Sequence, residues 1–291
     1  EKWAKSVAIQ VQECLDRILK NKGACSILLT GGRSAEMVYK EWSRLPNFLD
    51  TDGASFYFGD ERCVRTDSPL SNYSMTARTL FSGEKRSLVS IFRIEGESND
   101  PTEAAKKYEK ILPITIDILL LTVGDDGHIA SIFPNSELLF DKVNRVATTV
   151  MPGDFLSRIT ITPLVIAQAK NIFVLAPGKE KLKILTELLN NRVTSIQIPA
   201  FLALHGTWFI NKKINTIILK ILQINLLVEW IFINLLVEWI FMNLSVEWIF
   251  INLSVEWIFI NLSAHLCAIR QQSCLRQLSK SLKSLKIIKN H

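Results

Sequence analysis

The sequence predicts a three-layer α/β/α Rossmann-like fold around a mostly parallel sheet, with an atypical repetitive segment at its C-terminal end. Short apolar runs alternate with stretches of helical periodicity as far as about residue 211, the pattern of strands covered by helices on both faces. Three of the four clearest runs end in glycine plus polar groups, and open α/β sheets bind ligands outside the carboxyl ends of their strands. Beyond residue 211 a nine-residue repeat replaces the alternation.

Residues 1–22 read as an amphipathic helix, with Val7, Val11, Cys14, Leu15, Ile18 and Leu19 on one face. The run Cys25-Ser26-Ile27-Leu28-Leu29 predicts a strand ending in Thr30-Gly31-Gly32-Arg33-Ser34, and a helical pattern follows over 35–42. Residues 54–58 predict a second strand, stopped by Gly59-Asp60-Glu61-Arg62, and a polar loop then leads to a helix around 74–81. A short strand is predicted at 91–94, and Asp100-Pro101 opens a helix to Leu112. Residues 116–123 are almost wholly apolar, as a strand buried on both faces requires, and they end in Gly124-Asp125-Asp126-Gly127-His128. Further strands are predicted at 157–162 and 171–176, the second followed by Pro177-Gly178 and a lysine-rich helix to Leu189.

A chain of 291 residues can form one large α/β domain, or a medium domain with an appendage, and can bury a stable core without disulfides. Its five cysteines are an odd number with no Cys-x-x-Cys pair. That argues against a disulfide framework and a cysteine zinc site, and favours a reducing compartment. The net charge of +6 is unevenly spread: residues 1–211 carry 25 Lys and Arg against 24 Asp and Glu, so +1, and residues 212–291 carry 9 against 4, so +5. The first part therefore gives no support to a nucleic-acid partner. Its opening helix interleaves acids with bases and resembles neither a signal nor a transit peptide, so a cytoplasmic location is expected.

The strand ends carry the candidate chemistry. A glycine there permits positive φ and close backbone approach, and a helix starting directly afterwards presents unpaired N–H groups to an anion. Gly31, Gly32, Arg33 and Ser34 fit that description, although Gly-Gly also serves ordinary tight turns. The segment matches neither the P-loop nor the dinucleotide fingerprint, which leaves nucleotide binding with little support. His128, one of four histidines, follows two acids between glycine turns. Imidazole can take a proton from water and return it within one cycle, and a neighbouring carboxylate, for which Asp126 stands nearest, can orient it. The plainer reading is a surface turn whose acids cap the next helix. Asp60 and Arg62 are either a solvated rim or a carboxylate and a guanidinium offered to the same crevice. Ser71-Asn72 is either an Asx-type turn or a pair of neutral hydrogen-bond partners for a polyol. Lys179 opens a helix, where its charge opposes the macrodipole unless an anion is present.

Taken together, Leu28 to Ala35, Gly59 to Val64 with Asp67 to Asn72 behind it, and Gly124 to Pro134 resemble the 6-phosphogluconolactonase family. Arg158-Ile159-Thr160-Ile161-Thr162, Gly178-Lys179-Glu180-Lys181 and Ile198-Pro199-Ala200 continue the pattern in order, over roughly residues 1–211. The resemblance implies hydrolysis of 6-phospho-D-glucono-1,5-lactone to 6-phospho-D-gluconate in the oxidative pentose phosphate pathway, with no metal and no organic cofactor. It implies His128 as the base that activates water, oriented by Asp126, with Arg62 on the developing oxyanion and Asp60 either at the sugar hydroxyls or tuning the charge of the site. Gly31, Gly32, Arg33 and Ser34, with Arg158 and Lys179, would hold the 6-phosphate, and Ser71 and Asn72 belong to the same substrate-binding set. The related glucosamine-6-phosphate deaminases are the alternative. Their motif continues after Gly-His into a run of the Phe-Asn-Glu-Pro type, whereas Ile129-Ala130-Ser131-Ile132-Phe133-Pro134 here supplies no acid.

Residues 212–291 read differently. Asn225, Asn234, Asn243, Asn252 and Asn261 each open a copy of one nine-residue unit, the last truncated. Nine residues turn an α-helix by about 900°, a half-turn offset, and an odd period also flips faces on a strand. Neither element gives the repeated glutamates one solvent face. Any window of eighteen residues inside the repeats holds two Glu, so the apolar gain and the charge cost of membrane insertion nearly cancel. Membrane contact by the tail is therefore not favoured, although the basic stretch after Arg270 would suit an anionic surface as an amphipathic helix. The expectation is a read-through of a tandem repeat rather than a folded functional domain, with a defective or membrane-associated product as the second reading of the whole chain.

Overall fold

In the computed structural model, residues 2–48, 52–82, 90–189 and 193–210 are described. The nine-residue repeat and the basic C-terminal stretch, read from the sequence as a candidate amphipathic helix, fall outside those residues. Six strands form one wholly parallel sheet: β1 (Cys25–Leu29), β2 (Ala54–Phe58), β4 (Ser90–Ile91), β5 (Ile118–Thr122), β8 (Asn171–Ala176) and β9 (Thr207–Ile210), in the order β4-β2-β1-β5-β8-β9. The central strands β1 and β5 are buried on both faces, which is why they read as continuous apolar runs. Helices α1 (Lys2–Lys22), α2 (Arg33–Trp42), α3 (Asn72–Thr79), α4 (Pro101–Ile111), α5 (Pro163–Gln168) and α6 (Lys179–Leu189) complete the α/β part.

A second sheet of three antiparallel strands, β3 (Asp60–Arg62), β7 (Ser157–Ile161) and β6 (Val146–Val150), stands apart from the first. The strand expected at 157–162 therefore exists, but outside the parallel sheet. The run expected at 91–94 is reduced to a two-residue pairing with β2, extended only by Phe92 N–H donating to Phe56 O. Strands β3, β6 and β9 and helix α5 carry too short or too polar a pattern for periodicity to find. β3 is built of three charged residues, and β6 is only partly buried along Ala147–Thr149.

Buried tyrosines fix the strand ends from which the loops depart. The Tyr39 hydroxyl accepts from Thr30 N–H and donates to Thr30 O, both at 2.9 Å, and Tyr108 does the same at Phe58 (2.7 and 2.9 Å). Burial pushes both phenols well above their ordinary range, so each remains a neutral donor and acceptor. At the opposite edge Asp117, just before β5, accepts from Ser26 N–H (2.9 Å), Ser26 Oγ (3.0 Å) and Lys22 Nζ (2.6 Å), with Lys170 Nζ at 3.3 Å. This carboxylate ties α1, β1 and the approach to β8 together far from the strand ends that carry the glycine loops.

Candidate active site

The strand order reverses beside β1: the chain runs outward through β2 and β4, then returns to place β5 on the other flank. Loops leaving β1 and β5 diverge at such a switch point and open a crevice. A cleft of about 480 Å³ lies there, lined by Gly31, Gly32, Arg33, Ser34, Asp60, Arg62, His128, Arg158 and Lys179 among others. Segments after four strands of the parallel sheet thus meet, although their residues are separated by up to 150 positions in sequence.

The β1–α2 turn is shaped for close approach. Gly32 has φ +95° and is the N-cap of α2, with no side-chain cap on the helix amides that follow. Gly31 lies directly against the Asn72 side chain, so a Cβ there would overlap the amide. Thr122 Oγ1 donates to Gly31 O at 3.1 Å and fastens the turn to the end of β5.

His128 is held by its own turn. Its Nδ1 lies 2.6 Å from Asp126 Oδ1, and the same oxygen accepts from His128 N–H at 3.1 Å. Burial acts to raise the Asp126 carboxyl, but the bonds from the ring and the amide outweigh it and hold the group below the usual carboxylate range. An ionised carboxylate only accepts, so Nδ1 carries the hydrogen and Nε2 is the lone-pair nitrogen. Phe133 packs against the imidazole at 5.0 Å between ring centroids, and Arg158 lies over the same phenyl ring at 5.5 Å. Ala130, two residues after His128, has φ +50°, a left-handed conformation that a non-glycine residue adopts at a cost.

Two guanidiniums crowd one wall. Arg62 and Arg158 are directly paired across β3 and β7. Arg62 Nη1 donates to Leu70 O at 2.6 Å, and the Nε of each arginine is buried with no hydrogen-bond partner among the described residues. Burial and the neighbouring Arg62 charge lower the Arg158 guanidinium below its ordinary value. Two such charges side by side are costly; Asp60 and Asp154 offset part of that charge at Arg158, and an anion between the guanidiniums would offset more.

Asp60 is the buried acid of the cleft. Its Oδ2 accepts from Ser131 Oγ at 2.8 Å and its Oδ1 from Asn72 Nδ2 at 3.2 Å, while its backbone carbonyl accepts from the same amide at 2.9 Å. Ser71 and Asn72 do not reach the cleft. They are 3% and 2% exposed and hold the two acids of β3 from behind, Ser71 Oγ donating to Glu61 Oε2 at 3.0 Å. Glu61 also accepts from Asn72 N–H (2.7 Å) and Tyr73 N–H (2.8 Å), capping α3, and its burial pushes the carboxyl above its usual value against those bonds. Asp126 likewise supports rather than lines the cleft. Lys179 lines the cleft as an exposed residue, and Lys181, unanticipated, lines it too and binds Asp125 at 2.5 Å. In the sequence Lys181 stands inside the matching Gly178–Lys181 block, where nothing local distinguishes it from Lys179. Ser131 lies in the matching Gly124–Pro134 block, but its role is not legible there because its partner Asp60 lies 71 positions away.

The family profile described as Glucosamine-6-phosphate isomerases/6-phosphogluconolactonase matches residues 1–210. Among similar proteins, a 6-phosphogluconolactonase of Haemophilus influenzae is 32% identical over 197 residues, covering 64% of this chain and 84% of the relative. One from Treponema pallidum is 27% identical over 208 residues, covering 68% and 86% respectively. The crystal structure of 6-phosphogluconolactonase from Thermotoga maritima is similar in fold, with TM-score 0.60 and 26% identity over 73% of this chain and 96% of that one. A 6-phosphogluconolactonase structure from Trypanosoma brucei gives TM-score 0.62 and 26% identity over 72% and 91%. With the profile spanning most of its length, the chain belongs to the glucosamine-6-phosphate isomerase/6-phosphogluconolactonase family.

Proposed function

We propose that this chain is a lactone hydrolase that converts 6-phospho-D-glucono-1,5-lactone to 6-phospho-D-gluconate, a step of the oxidative pentose phosphate pathway. The observation that carries the reading is one cleft holding an Asp126-oriented imidazole together with two arginines and the uncapped turn of α2. The names of the relatives point the same way.

In this mechanism Nε2 of His128 takes a proton from water as the oxygen attacks the lactone carbonyl. Asp126 stabilises the imidazolium that forms, and Arg62 stabilises the oxyanion of the tetrahedral intermediate. The ring oxygen then leaves, and His128 returns the proton to it. The 6-phosphate rests on the Gly31–Ser34 backbone, with Arg158 and Lys179 supplying charge-assisted contacts. Asp60, fixed by Ser131 and Asn72, accepts from sugar hydroxyls; Asn72 serves the substrate through Asp60, and Ser71 anchors Glu61 behind the cleft. The activity resides in residues 1–211.

The test is hydrolysis of the lactone above its spontaneous rate, with the unphosphorylated lactone and glucosamine 6-phosphate as controls. Enzyme-dependent hydrolysis that prefers the phosphorylated lactone supports the reading. Ammonia release from glucosamine 6-phosphate without lactonase activity would overturn it in favour of the deaminase.

A further inference from the structure

We propose that Asp154 is a built-in counter-charge that weakens the hold of Arg158 on the anionic group of the substrate, and so tunes how tightly the cleft binds it. The inference rests on the reading above, in which Arg158 contacts that anion.

The hairpin between β6 and β7 is built to place this carboxylate. Met151-Pro152-Gly153-Asp154 forms a tight turn closed by Asp154 N–H donating to Met151 O at 2.9 Å, with Gly153 at φ +80°. Asp154 Oδ1 then accepts from Phe155 N–H (2.8 Å) and Leu156 N–H (3.1 Å), so the side chain is fixed by its own loop. The other oxygen, Oδ2, stands 3.8 Å from Arg158 Nη2. That separation is beyond hydrogen-bonding range, so Asp154 does not set the direction of the guanidinium, but its charge is still felt.

Besides Asp154, Asp60 is the other carboxylate whose charge favours the Arg158 cation, and it is already held by Ser131 and Asn72. The rest of the surroundings leave Arg158 under-satisfied. Its side chain is 9% exposed, and among the described residues its Nε has no hydrogen-bond partner and Nη2 reaches only the weak acceptor Met151 Sδ at 3.5 Å. Arg62 adds a like charge from the next strand. A buried guanidinium with spare donors and a repelling neighbour would grip an anion strongly. Asp154, on the hairpin side and outside the cleft lining, offsets part of that charge without filling the space the anion would take.

The experiment uses the full chain, with inorganic phosphate as competitive inhibitor of lactone hydrolysis. Asp154→Asn keeps the Oδ1 acceptor that the hairpin amides need and removes only the charge. It is expected to lower both the phosphate Ki and the lactone KM by about two- to fivefold, the range of a partly exposed ion pair, with kcat moving less. Asp154→Ser, which also keeps an acceptor, should shift both constants in the same direction. Phosphate inhibition that is unchanged or weaker in both variants overturns the proposal. Arg158→Gln, assayed in parallel, separates the two levels. If it leaves phosphate inhibition unaltered, the anion-binding reading of Arg158 falls; if it weakens inhibition while the Asp154 variants do not strengthen it, only the role of Asp154 falls.

Discussion

Nδ1 of His128 lies 2.6 Å from Oδ1 of Asp126, two residues earlier in the same turn. The contact assigns the ring hydrogen to Nδ1 and leaves Nε2 as the basic nitrogen. Replacement of His128 by Ala should lower enzyme-dependent lactone hydrolysis at pH 7 by about 10²–10⁴-fold, the usual contribution of a general base. Asp126→Asn should retain binding and lose kcat, because an amide oxygen can orient the ring but stabilises the imidazolium less. Turnover with both variants at the wild-type level would remove His128 from the mechanism.

Gly124 opens the same turn, and a Cβ there would collide with the His128 ring and approach Asp126 Oδ1 to 2.6 Å. Gly124→Ala must therefore displace the imidazole. The expected outcome is a kcat loss approaching that of His128→Ala with KM much less affected, and circular dichroism showing the secondary structure intact.

Asn72 supports Asp60 from behind, and its side chain also fills the space beside Gly31. Asn72→Ala leaves a buried carboxylate short of a donor and opens a gap under the β1–α2 turn. A stability loss of about 1–3 kcal/mol is expected, the cost of an unsatisfied buried polar group. Urea unfolding measures it, and KM for the lactone should rise as the turn loosens.

Asp117 predicts the acid side of the stability profile. Burial alone would raise its carboxyl, but Lys22 and the two Ser26 donors hold it below the ordinary range. A depressed folded pKa contributes stability that is fully present above the unfolded value of about 4 and is lost as pH falls through the folded value. Asp117→Asn should therefore be less stable than the parent at pH 7 by about 1–3 kcal/mol, and the difference should shrink below pH 4. Denaturant titrations at pH 7 and pH 3 give the comparison.

The profile match ends at residue 210, just before the segment that leads into the repeats. A chain ending at residue 211 should retain lactone hydrolysis at a rate comparable to the full chain. Loss of activity in that truncated chain, with its circular dichroism also lost, would show that residues 212–291 are needed for folding.

What the sequence determined by itself was what local chemistry controls. The apolar runs of β1, β5 and β8 announce buried strands because both faces must be apolar. The Asp126-x-His128 turn and the Gly31-Gly32 turn could be picked out because their geometry is made by neighbouring residues. Tertiary structure alone decided the rest. The pairing of Arg62 with Arg158, the Ser131–Asp60 bond and the Lys181–Asp125 contact join segments 56 to 96 positions apart, whose registers no local pattern specifies. The same holds for Ser71 and Asn72, polar residues beside a predicted helix that turn inward because the two acids of β3 are buried there and require donors.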